Sequence, residues 1–156
     1  MTDIKFLKLH NADDNSVVVV PANKIIYAYL LTDSDGTYTE IVLKLYENGD
    51  DSVAVNESPE KLYNMLKTDG FVRCHRKHDN HIVIFNIEYF NLLIKTEYEF
   101  IIKLQNCDDL VVNESPEKIY NAMIEAKNNM LSKESNISKQ ENSKSSQDVK
   151  VEKVES

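Results

Sequence analysis

The phrase NESPEKLYN at residues 56–64 returns as NESPEKIYN at residues 113–121, with Ile119 in place of Leu62 as the single change. A repeat of this kind limits the fold more than local propensity does, because each copy has to build the same supersecondary unit. The correspondence extends well beyond the phrase. FLKLH at 6–10 aligns with FVRCH at 71–75, Asp14-Asn15 with Asp79-Asn80, VVVV at 17–20 with IVIF at 82–85, and EIVLKL at 40–45 with EFIIKL at 99–104. The second copy is shorter, lacking the Asp33-Ser34-Asp35-Gly36 tip. We read repeat 1 over residues 1–69 and repeat 2 over residues 70–130.

Within each copy the pattern is that of five short strands and a helix. Residues 6–10 alternate apolar and polar, as a half-buried strand does. Asn11 to Asn15 is turn chemistry, since Asn and Asp tolerate positive φ and bond to their own backbone. Residues 17–20 are β-branched and stop at Pro21, which has no N–H for a ladder. Residues 25–31 and 40–46 form a second pair across the tip at 32–36, and Asn48-Gly49 turns into a fifth strand at 52–55. Ser58 then suits a helix N-cap, Pro59 the first helical position and Glu60 the positive end of the helix dipole. Leu62, Met65 and Leu66 fall on one face, as do Ile119, Ala122, Met123, Ala126 and Met130 in the second copy. The repeated phrase reads as a helix start, not as a reactive centre.

A unit of about 60 residues is marginal alone and exposes strand edges. Two fused copies can cover each other, and a pseudo-twofold arrangement is the expected one. The predicted fold class is therefore α+β: two tandem β-rich repeats, each five antiparallel strands and one C-terminal helix, forming one domain. Residues 131–156, rich in Ser, Lys, Glu, Asn and Gln with no aromatic residue, are expected to be a disordered tail.

Composition bears on partners. Of the net charge of −8, residues 1–70 carry 6 basic and 12 acidic side chains, residues 71–130 carry 7 and 9, and the last 26 residues carry 5 and 5. An acidic body counts against a polyphosphate partner, which needs a concentrated positive field. No apolar run is long enough for a membrane span, and the N-terminus lacks a signal-peptide pattern. Cys74 and Cys107 are expected as free thiols in a reducing, cytoplasmic setting.

One cationic cluster stands out: Arg73, His75, Arg76, Lys77 and His78, with His81 just beyond. At the positions of Arg76, Lys77 and His78 the first copy has Asn11, Ala12 and Asp13, so the shared fold does not require these charges. On a strand, Arg73, His75 and Lys77 point one way while Cys74, Arg76 and His78 point the other. Metal binding by Cys74, His75, His78 and His81 is not expected, because Cys74 aligns with Leu9 and reads as a core residue. Asp33 to Gly36 lacks the downstream ligands of a calcium loop. No Gly-rich phosphate loop, nucleophile elbow or zinc-protease motif is present, and neither an enzyme nor a cofactor is expected.

Two family resemblances follow from these residues. Each copy resembles the small flagellar proteins of the FlbD/SwrD type: Phe6-Leu7-Lys8-Leu9, Val19-Val20-Pro21 to Ile25, Asn48-Gly49 and Val55-Asn56-Glu57-Ser58 match in the first. Phe71-Val72-Arg73-Cys74, Phe85-Asn86 to Phe90 and Val111 to Ser115 match in the second. That resemblance implies a non-enzymatic assembly role. The whole chain is also similar to LytTR DNA-binding domains, whose phrase F-x-R-x-H-R is met at Phe71-Val72-Arg73-Cys74-His75-Arg76, although Lys77 stands where that phrase has Ser. This second resemblance implies DNA binding through the basic hairpin at 73–78. The expected function is a binding or assembly module acting through protein contacts, with LytTR-like DNA binding as the alternative.

Overall fold

The computed structural model describes the backbone of residues 4–46 and 49–151, and the side chains of residues 4–45 and 51–133. Ten strands and two helices follow in the order β1 (Phe6–His10), β2 (Val17–Pro21), β3 (Ile25–Asp33), β4 (Gly36–Tyr46), β5 (Gly49–Val55), α1 (Pro59–Leu66), β6 (Phe71–His75), β7 (Ile82–Asn86), β8 (Phe90–Lys95), β9 (Phe100–Leu104), β10 (Leu110–Val112) and α2 (Pro116–Val151). A 3-10 turn precedes β3 (Ala22–Lys24) and another precedes β8 (Ile87–Tyr89). The element order of the first half is thus met again in the second.

Local chemistry explains most of these elements. Asn15 and Asn80 take φ of 62° and 60° in the turns after β1 and β6, where Asn is among the few side chains that tolerate that region. The β3–β4 hairpin closes at Gly36, whose φ of 133° suits a residue without a Cβ. Ser58 caps α1 by accepting from the Lys61 N–H at 3.1 Å, and Ser115 accepts from Lys118 at 3.4 Å. A register shift falls between Ile25 and Tyr27 in β3, and another at the matching place in β8, between Phe90 and Leu92.

Three antiparallel sheets result: β1-β2, β5-β4-β3-β7-β6 and β10-β9-β8. This strand order corrects the expected pseudo-twofold arrangement. A twofold axis would pair each element reciprocally, so that β3 meeting β7 would require β8 to meet β2. Instead β3 pairs with β7 through Tyr27↔Phe85, Ala28↔Ile84 and Tyr29↔Val83, while among the described strands β8 pairs only with β9 and β2 only with β1. The halves meet head to tail, because the outer edge of one sheet accepts the hairpin of the next half and nothing returns the contact.

Two cores lie on either side of the central sheet. One gathers Leu7, Leu9, Ile25, Ala28, Ile41, Leu62 and Leu66 with Phe71 and Ile84 from the second half. The other gathers Val72, Cys74, Phe85, Ile102, Leu104 and Ile119 with Ile26 and Val42 from the first. Each core borrows side chains across the junction, so the halves are interdependent. From Leu131, where a disordered tail is expected, α2 continues as helix to Val151. The stretch holds no Pro or Gly, and its Lys, Glu and Gln residues are good helix formers. Residues 152–156 of that tail lie outside the described residues. No described helix is long and apolar enough to cross a membrane.

Candidate functional site

The basic hairpin is β6–β7 with its turn at 76–81. Residues 73–81 carry three Arg or Lys and one acidic residue, against one and two at the corresponding positions 8–16 of the first half. The structure divides these cations by direction and by partner. Arg73 lies on the surface next to α1, where its Nη1 donates to both Glu60 oxygens at 2.9 and 2.7 Å and its guanidinium sits 5.2 Å from the Tyr63 ring centre. Arg76 turns inward. It bonds both oxygens of Asp79 at 3.1 and 2.6 Å, donates to the Leu30 carbonyl at 2.7 Å and packs over the Tyr29 ring at 5.4 Å.

His75 serves the corner where the repeated phrase meets the strand before it. Its backbone N–H and its Nδ1 both bond the Glu114 carboxylate, at 3.0 and 2.6 Å. The Asn113 N–H donates to the His75 carbonyl and Asn113 Nδ2 to Asn80 Oδ1. His10, Glu57, Asn56 and Asn15 make the same corner in the first half, with Glu57 taking the His10 N–H at 3.0 Å and Nδ1 at 2.7 Å. Burial alone would raise the Glu57 carboxyl, but the His10 side-chain and backbone hydrogen bonds outweigh it and leave the group below its usual range. Asn56, Glu57, Asn113 and Glu114 were therefore missed as the ties that hold the helix start to the first hairpin. The signal was present: His10 and His75 recur in step with the phrase.

What remains free to meet a partner at the turn is narrower than the linear cluster. Lys77 Nζ donates to the Tyr98 carbonyl at 2.9 Å, a neutral acceptor that does not cancel its charge. His78 is 74% exposed and lies 3.3 Å from Asp79, and His81 is 3.5 Å from the same carboxylate. The Arg76 hydrogen bonds, offset in part by burial, hold Asp79 down at about 2. Lys77, His78 and His81 thus form the outward tip, braced from behind by the Arg76–Asp79 pair. Cys74 faces the core, and burial followed by the nearby Glu114 charge pushes its thiol far up, which keeps it protonated and unreactive. Among the described residues no three His, Cys, Asp or Glu side chains gather as metal ligands.

A second feature lies at the far end of the second half. Phe90, Leu92, Leu93, Tyr120, Met123 and Ile124 line an open groove of about 700 Å³ between β8 and α2, beside the unpaired edge of β8. Nothing in the hairpin cluster reaches it.

Comparison with known proteins gives one solved structure to set beside this fold. A LytTr DNA-binding domain from Bacillus cereus superposes with a TM-score of 0.53 at 19% identity, over 76% of this chain and 95% of that one. No family model and no curated protein matches the chain. The architecture is thus shared with a DNA-binding domain, and the resemblance to the small flagellar proteins receives no such support.

Proposed function

We propose that this chain is a nucleic-acid-binding module of LytTR type that meets duplex DNA with the outward tip of the β6–β7 turn. The shared architecture is the observation that carries this reading. The cationic turn supports it, since Lys77 and His78 stand where the first half has Ala12 and Asp13. On an acidic chain the contact has to be local and few in phosphates, so affinity should be modest and sensitive to salt. Arg76 and Arg73 act as supports in this reading, because their guanidinium groups are already held by Asp79 and Glu60. The test is fluorescence anisotropy with a pool of random duplex DNA across a salt series. Binding should weaken steeply with salt, and Lys77→Ala should lower the slope by about one unit. Absence of duplex binding at low salt, or a slope that ignores Lys77, would overturn the reading.

A protein-assembly role is the second reading, favoured by one specific observation: the β8 edge is unpaired and its neighbouring groove is apolar and open. The two halves, alike in element order, caps, turn geometry and bulge position, are in both readings two copies of one unit. Ile124→Arg in the groove should abolish protein binding while leaving duplex binding intact, and retained binding would remove this reading.

A further inference from the structure

The junction inside the molecule shows what its two open ends are shaped to do. In the first half the groove between β3 and α1 is filled by the β6–β7 hairpin. Phe71 and Ile84 enter the first core at 2% and 0% exposure, β7 adds to β3, and Arg73 reaches Glu60 and Tyr63. The corresponding groove of the second half, between β8 and α2, is left open by the described residues. Its Glu117 and Tyr120 occupy the positions of Glu60 and Tyr63, and Tyr120 is 60% exposed.

At the opposite end, the β1–β2 hairpin has the register of β6–β7, residue for residue. It presents Phe6 at 61% and Val19 at 60% exposure, in the places of Phe71 and Ile84, and Lys8 in the place of Arg73. Two apolar side chains standing outward beside a cation have the chemistry of the groove's apolar lining and the charge to meet its Glu117. From this we infer that a second copy of this chain seats its β1–β2 hairpin in the β8–α2 groove. The expected register is Val20 opposite Leu92, Val19 opposite Leu93 and Val18 opposite Ile94, with Lys8 beside Glu117 and Tyr120. The contact continues an interface the molecule already uses once.

Some of the internal contacts have no counterpart between chains. Asn86, which donates to the Ile25 carbonyl, corresponds to Pro21, and Arg76 corresponds to Asn11. Association is therefore weaker than the internal junction and depends on concentration. Because the contact is heterologous, it either closes a ring or extends as a chain of copies. The inference rests on the assembly reading and names its partner.

Sedimentation velocity of the full chain across micromolar to millimolar concentration tests it. The average mass should climb above the 18.0 kDa of one chain. Val19→Arg and Ile124→Arg, both at exposed positions, should each hold the chain at one copy with an unchanged thermal melt. Mixed together, they should form a one-to-one pair and stop there, since each retains the end the other has lost. Lys8→Glu should weaken association roughly fivefold, and Glu117→Lys on the partner chain should restore it. A chain that stays single at every concentration overturns the inference, even where Ile124→Arg still costs binding of some other protein. An associating chain whose two arginine variants fail to pair overturns it as well.

Discussion

The β1–β2 and β6–β7 hairpins have the same length, the same register and the same positive-φ Asn in the turn, yet one is half exposed and the other is at the centre of the molecule. Local sequence builds the hairpin, and the neighbour it meets decides what its side chains are worth. Phe71 and Ile84 are core residues because α1 and β3 stand over them. Phe6 and Val19 occupy the same places in a hairpin that no described element covers, and both are more than half exposed.

Substitutions at matched positions put this difference to a quantitative test. Phe71→Ala should cost about 3–5 kcal/mol in urea unfolding, and Phe6→Ala within about 0.5 kcal/mol at concentrations where the chain is single. Equal costs would show that the hairpins are not in different environments. The two corners offer the next largest effect. Glu57→Gln should cost about 1–3 kcal/mol near neutral pH, because it weakens the His10 bonds of a buried carboxylate. Since the Glu57 carboxyl is held below its unfolded value, its contribution is present above that value and is lost as pH falls through the folded one. Stability of the parent should therefore drop on acidification, and the Gln variant should show a shallower drop.

Smaller effects separate the two turns. Asp79, held at about 2 by Arg76, contributes above the ordinary carboxylate range and is lost as pH falls toward that value, whereas Asp14 in the matching turn is lowered by hydrogen bonds from the Ser16 hydroxyl and backbone and from its own N–H, with no cation among these causes. Asp79→Asn should flatten the acid limb of the stability profile more than Asp14→Asn does. Smallest of all, Ser58→Ala and Ser115→Ala should each cost about 1 kcal/mol, with Ser115 the lesser because its cap is longer. Thermal melts of the pair would check the order.

Much of the strand pattern was legible because it rests on short-range chemistry. Residues 6–10, the Asn turns, the Pro-terminated β2 and the Ser-Pro-Glu helix starts all declare themselves within a few positions. The head-to-tail junction was not legible, since VVVV at 17–20 and IVIF at 82–85 are equally apolar on both faces and neither announces which one is covered. The candidate site was half legible. The contrast between RKH at 76–78 and NAD at 11–13 is plain in the sequence, and Asp79 lies three residues from Arg76. The partners of Arg73 and His75 lie 13 and 39 residues away, so a linear cluster of five basic residues has four of them beside carboxylates, all but Lys77.

The most direct measurement is a disulfide trap across the proposed contact, in chains carrying Cys107→Ser and keeping Cys74 buried in the core. A chain with Val19→Cys is mixed with one carrying Leu93→Cys and oxidised gently. The head-to-tail register predicts a cross-linked pair of the two different chains. Val18→Cys with Leu93→Cys should give little product, because one residue along a strand reverses the side chain. Equal yields from both mixtures, or like-with-like products alone, would contradict it.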